Sequence, residues 1–122
     1  MNKKEEHGRK IKKTELPEKI QNTFKTLAVL KKRYPKAFNK NIQPLKLGIL
    51  NDLNNSLNGK ISKTQIRNAL KYYTNSILYQ QAVISNKFRI DLKGNKHSLI
   101  TDEHKLFAQK QLEKLLNKKI KS

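Results

Sequence analysis

The chain of 122 residues is 35% hydrophobic, enough for one modest core, and carries 28 Lys+Arg against 9 Asp+Glu for a formal net charge of +19. That bias exceeds what solubility needs and selects an anionic partner, either nucleic acid or an acidic membrane surface. Zero cysteines remove disulfides, thiolate nucleophiles and thiolate-bound zinc, and no segment nears the roughly 18 consecutive apolar residues of a membrane span.

Residues 1–15 set Lys3, Lys4, Arg9, Lys10, Lys12 and Lys13 against Glu5, Glu6 and Glu15 with one isoleucine. Such a segment cannot bury enough to offset its ordering entropy and reads as a basic disordered tail. The opening MNKKEEHGRK also lacks the apolar run of a secretion signal, so a cytoplasmic protein is expected. One domain is expected over 16–117, then a short basic tail at 118–122. Pro17 suits the first turn of a helix, and Ile20, Phe24, Leu27, Leu30 and Tyr34 keep one apolar face. Tyr34-Pro35 ends it, because the residue before proline is pushed out of the helical region.

Residues 36–43 form a polar connection whose Phe38 should reach the core. Pro44 then opens a second helix, with Leu47, Ile49, Leu50, Leu53 and Leu57 as its buried side and Asn58-Gly59 as its stop. Gly48 falls inside this helix, at a cost of about 1 kcal/mol relative to alanine. Lys46 lies near its start, where it reads either as a solvated lysine or as a phosphate contact at the positive helix end.

Ser62 and Gln65 form a capping box, from which the principal helix is expected to run to about Val83. Its inner stripe is Ile66, Ala69, Leu70, Tyr73 and Ile77. A second stripe places Lys63, Arg67 and Lys71 four apart on one face and continues through Thr74 or Asn75 towards Tyr79. Like charges at that spacing repel by a few tenths of a kcal/mol per pair, a cost a polyanion would remove. An ordinary solvated face fits the stripe as well as a phosphate track does.

Residues 87–92 alternate, with Phe88, Ile90 and Leu92 on one side and Lys87, Arg89 and Asp91 on the other, which is a strand signature. Lys93-Gly94-Asn95 is turn material, and 96–100 pair back to complete a hairpin that must pack on helices to persist. Thr101 caps a last helix with Asp102 and Glu103 in its first turn. Phe107, Ala108, Leu112, Leu115 and Leu116 make its inner side. Lys105, Lys110, Lys114 and Lys118 face out, and Lys110 joins the candidate contacts to an anionic partner. The fold class expected is mainly α with an inserted β-hairpin.

Arg33-Tyr-Pro-Lys-Ala-Phe38, Pro44-Leu-Lys-Leu-Gly-Ile49, Ser62-Lys-Thr-Gln-Ile-Arg67-Asn-Ala-Leu70, Tyr73-Thr74, Tyr79, Arg89-Ile-Asp-Leu92 with Gly94, and Ala108 form an ordered set spanning Leu27 to Leu116. It resembles the RNA-binding domain of the ProQ/FinO family of bacterial RNA chaperones. The resemblance implies a FinO-like helical domain with a hairpin and a concave basic face, which binds intrinsic terminator hairpins with single-stranded 3′ tails in small RNAs and mRNA 3′ ends. Carried over onto matching positions, it assigns RNA contacts to Lys46, Lys63, Arg67, Tyr79 and Arg89. Lys71 stands where relatives often have arginine, keeping charge but losing the bidentate fork. Leu78 departs from the basic residue that some members place before the tyrosine. Unlike the larger members, the chain shows no long linker or second folded domain, so a minimal version is expected.

The chemistry expected is phosphate neutralisation by Lys46, Lys63, Arg67, Lys71 and Arg89, with Tyr79 stacking on an unpaired base or donating to a terminal phosphate, and Tyr73 in the core. A pocket of Lys46, Arg67, Tyr79 and Arg89 would take the RNA 3′ end. The partner is RNA and not a membrane, the helices' apolar faces being needed for the core, and a monomer is expected. A helix-turn-helix DNA regulator is the alternative, since 53–70 read helix, Asn-Gly turn, basic helix. His7, His97 and His104, and Asp91, Asp102 and Glu103, show no metal-ligand or acid/base spacing, so no catalytic residue, metal or cofactor is expected.

Overall fold

The computed structural model describes residues 16–121, and the tail expected at 1–15 lies outside them. Five helices and a two-stranded sheet follow one another among the described residues: α1 (Glu18–Arg33), α2 (Ile49–Leu57), α3 (Lys63–Thr74), α4 (Ile77–Ser85), β1 (Phe88–Ile90), β2 (Lys96–Leu99) and α5 (Asp102–Lys121). The architecture is mostly helical with an inserted β-hairpin. None of these helices is long and apolar enough to cross a membrane.

The apolar stripes meet around α3. It packs against α1, α2 and α4, while α4 carries α5. Leu30, Phe38, Leu53, Leu57, Ile66 and Ala69 are buried at the centre, each large side chain contributing about 1.5–3 kcal/mol by leaving water. Phe38 and Tyr73 meet edge to face, with ring centroids 5.1 Å apart. Tyr34 ends α1 as its sequence demands, and Asn58 (φ 48°) with Gly59 closes α2 in the left-handed conformation. α5 continues past residue 117, where a tail is expected, to Lys121.

The principal helix is broken. α3 ends at Thr74, and Ser76 starts α4 by accepting the Tyr79 amide on its hydroxyl, 3.1 Å away. The same hydroxyl donates to the Tyr73 carbonyl, and the Gln80 side-chain Nε2 donates to the Thr74 carbonyl at 2.7 Å. Side chains thus satisfy the groups that a break strands, so the interruption costs little.

Pro44 does not open a helix. Its carbonyl accepts from the Ile90 amide at 2.9 Å and the Lys46 amide donates to the Ile90 carbonyl at 2.8 Å, so 44–46 lie along β1 as a parallel strand fragment. Gly48 (φ 84°) is the N-cap of α2 and not an interior residue, because the chain must turn sharply from that strand fragment into the helix. Leu47 consequently faces outward, 60% exposed. On α5, only Ala108 of the expected inner residues is fully buried, and Phe107 is 63% exposed.

The hairpin pairs Phe88 with Leu99 and Arg89 with Ser98, then slips register before Ile90 meets Lys96. The irregularity leaves both Arg89 and Ile90 buried, where simple alternation puts Arg89 in solvent. Asp91 locks the turn, its carboxylate accepting from the Lys93 and Asn95 amides at 2.9 Å each. The Asn95 amide is the main cause holding that carboxyl below its usual range. Gly94 (φ 81°) presses on the loop after α1, and a Cβ there would stand 2.8 Å from Lys36 Cβ.

Gly94→Ala should cost about 2–3 kcal/mol, against about 1–2 kcal/mol for Gly48→Ala, which meets left-handed strain but no neighbour. Urea unfolding of both variants checks the difference. Burial, reinforced by Tyr79, pushes the Tyr73 phenol from 10.0 up to about 12. Folding thus favours the neutral form. Its contribution is complete below pH 10 and is lost as the pH rises towards about 12. Alkaline titration of stability should lose this component in Tyr73→Phe.

Candidate nucleic-acid interface

The site is built around the strand fragment at Leu45. Its amide donates to the Tyr79 hydroxyl of α4 at 3.0 Å, and its carbonyl accepts from Arg89 Nη1 of β1 at 3.1 Å. Arg89 Nη2 lies 3.4 Å from Nδ1 of His104, in the first turn of α5. A guanidinium only donates, so this contact is a hydrogen bond in the tautomer whose Nδ1 carries no proton. Arg89 Nε is buried without a partner among the described residues.

This clamp sets the floor of a hollow with two chambers. The first, about 380 Å³, lies between the start of α2 and the outer face of α3, and Lys46, Arg67, Lys71, Tyr79 and Arg89 all contribute to its wall. The second, about 400 Å³, lies between the end of α3, α4 and α5, with Asn75, Gln80, His104, Phe107 and Gln111 in its wall. Leu47, Thr74, Tyr79 and Arg89 line both chambers. Among the described residues no acidic side chain lines either. Lys46 is balanced from outside, its ammonium 2.8 Å from Asp52.

Five of the seven expected site residues therefore share one cavity wall. Lys63 is exposed one turn ahead of Arg67 on α3, and Lys110 is exposed on α5; neither lines the hollow. Tyr79 differs from expectation in its exposure. Only 7% exposed and edge-on to Tyr73, it has no open ring face for a base to stack on. Its hydroxyl accepts one bond and keeps its own proton to donate. Arg89 is equally buried, a floor residue and not a surface cation.

Several contributors were not legible as site residues. Leu45 acts through its backbone, His104 through its contact with Arg89, and Asp52 through the Lys46 ion pair. Ser76, which aims Tyr79 inward, did leave a signal: Thr74-Asn75-Ser76 is a polar turn cluster interrupting an apolar run.

Comparison with known proteins identifies the family. The ProQ/FINO family profile matches residues 20–122. The chain belongs to that family. It is 37% identical over 100 residues to the RNA chaperone ProQ of Idiomarina loihiensis, covering 79% of this chain and 48% of that protein. It is 38% identical over 101 residues to the RNA chaperone ProQ of Pseudoalteromonas atlantica, covering 80% and 47%. The chain thus spans about half the length of the curated relatives it matches. A ProQ homolog from Legionella pneumophila matches in structure with a TM-score of 0.64 at 28% identity, over 80% of this chain and 83% of that one. NMB1681 of Neisseria meningitidis MC58, described as a FinO-like RNA chaperone, shares the fold with a TM-score of 0.68 at 23% identity, over 83% and 82%.

In this member of the ProQ/FINO family the two core tyrosines should respond oppositely to loss of the hydroxyl. Tyr79→Phe strands the Leu45 amide and should cost about 1–3 kcal/mol. Tyr73→Phe removes a buried hydroxyl that has no partner among the described residues and should leave stability at neutral pH unchanged or raised. Chemical denaturation of both variants is the measurement.

Proposed function

We propose that this chain is an RNA-binding protein that acts as an RNA chaperone, taking intrinsic terminator hairpins with single-stranded 3′ tails in small RNAs and mRNA 3′ ends. The observation that carries the reading is the convergence of Lys46, Arg67, Lys71 and Arg89, from three separate stretches of chain, on one cavity wall free of acidic side chains. Membership of a family whose named relatives are RNA chaperones supports it.

The exposed row Lys63, Arg67 and Lys71 would follow the stem backbone, releasing counterions as each phosphate is neutralised. Fixed cations can track A-form geometry without entering its deep major groove, and 2′-hydroxyls at the wall distinguish RNA from DNA. The tail end would enter the hollow, where Arg67 and Lys71 on the wall and the Tyr79 hydroxyl on the floor have protons to donate. The Tyr79 hydroxyl is already held in place before binding, so little ordering cost falls on it at association. Chaperone action then means shielding the RNA end and lowering repulsion between annealing strands.

Arg67→Ala should weaken a tailed hairpin several-fold more than a blunt RNA duplex, and should reduce the slope of log affinity against log salt by about 1. Equal losses on both RNAs would reduce the site to a general polyanion surface. A salt-matched competition in which duplex DNA displaces the hairpin would favour the helix-turn-helix reading of α2 and α3.

A further inference from the structure

The hollow leaves part of the positive charge unused. Between Glu18 and Asp52 the chain contains no acidic residue, and this stretch bends back on itself where α1 ends. There a separate cavity of about 570 Å³ opens between the α1–α2 connection, the end of α2 and the hairpin turn. Arg33, Lys36 and Lys93 contribute three cations to its wall, with Tyr34 and Leu92 as the apolar part. It shares no residue with either chamber of the hollow. Ser56, in its wall, is seven residues beyond Ile49 of the first chamber, or about 10 Å along the helix axis.

This cradle is firmly built. The Tyr34 hydroxyl donates to Ser56 Oγ, which fixes the ring against α2. Gly94 packs on Lys36, tying the hairpin turn to the connection. Asp91, the acidic residue nearest in sequence, is committed to the turn amides. Among the described residues none of Arg33, Lys36 and Lys93 has a carboxylate partner. Lys31, Lys32, Lys40 and Lys60 are exposed on the flanking segments, so positive charge continues beyond the cavity in more than one direction.

We propose that this cradle is a second nucleic-acid site, which holds an unpaired RNA strand while the hollow holds a hairpin. Three cations held by two separate stretches of chain suit a run of phosphates, and the side of Tyr34 with Leu92 gives bases or riboses an apolar surface. Flanking charge in several directions suits a strand longer than the cavity. Two strands held about one helix-length apart on one cation-rich body would anneal faster than two free polyanions, through effective concentration and screened repulsion. The inference rests on the RNA reading of the hollow.

The test uses the full chain saturated with a tailed terminator hairpin, to which a short, labelled, non-complementary RNA strand is added while anisotropy and sedimentation are followed. A ternary complex is expected. Lys36→Gln combined with Lys93→Gln should weaken the strand about tenfold and leave hairpin affinity within about twofold, which also shows the variant is folded. Absence of a ternary complex, a strand indifferent to the double variant, or equal losses of hairpin and strand would overturn the second site and leave the hollow's assignment standing. Displacement of the strand by an acidic peptide at equal charge concentration would overturn its assignment to RNA. Failure of the unaltered chain to bind the hairpin would remove both readings.

Discussion

The backbone of Leu45 is the constraint on which the site depends. Its amide and its carbonyl are satisfied by side chains 34 and 44 residues away, the Tyr79 hydroxyl and the Arg89 guanidinium. A neutral hydrogen bond adds only about 1 kcal/mol net and one to a charged group about 1.5–3 kcal/mol, yet an unmet buried partner costs as much or more. The three groups therefore hold one another. With Leu45 fixed along β1, Lys46 must emerge beside Asp52 and Gly48 must turn the chain into α2. One wall of the hollow is thus a consequence of where two distant side chains end.

The break at Asn75-Ser76 makes that clamp possible. In an unbroken helix Tyr79 would lie eight residues beyond Lys71, about 12 Å further along the same axis and about 80° round it. Lys71 is exposed and Tyr79 is buried, and the break frees α4 from the direction of α3. Ser76 and Gln80 supply the capping bonds of the interruption, which redirects α4 so that its tyrosine meets the strand fragment and its outer side receives α5. The aromatic chain from Phe38 through Tyr73 to Tyr79 joins the core to the floor of the hollow, so packing defects at the centre would be felt at the site.

Electrostatics works against the isolated fold and would favour an anionic partner. Arg67 sits one turn from both Lys63 and Lys71, and no acidic residue separates Glu18 from Asp52 along the chain. Such self-repulsion lowers stability without specifying structure, and it is relieved when a polyanion binds. The few carboxylates have local duties: Asp52 meets Lys46, Asp91 closes the hairpin turn, and Asp102 and Glu103 sit at the positive end of α5. Little negative charge remains to neutralise the exposed cations.

Local chemistry written in neighbouring residues was readable directly. Tyr34-Pro35, Asn58-Gly59, Ser62-x-x-Gln65 and Thr101 each set a helix end through a backbone preference or a cap acting within a few residues. The row Lys63, Arg67 and Lys71 follows from helical period alone, and the ordered motifs named the family. What the sequence hid depends on contacts between segments far apart in the chain. Pro44 and Gly48 fit a helix by local rules until Ile90 offers a strand edge. Arg89 alternates outward until a register slip and the Leu45 carbonyl draw it in. Phe107 fits an inner stripe that α5 does not bury. Periodicity reports which faces an isolated element could bury, whereas burial itself is decided by whichever partner arrives to satisfy the polar groups.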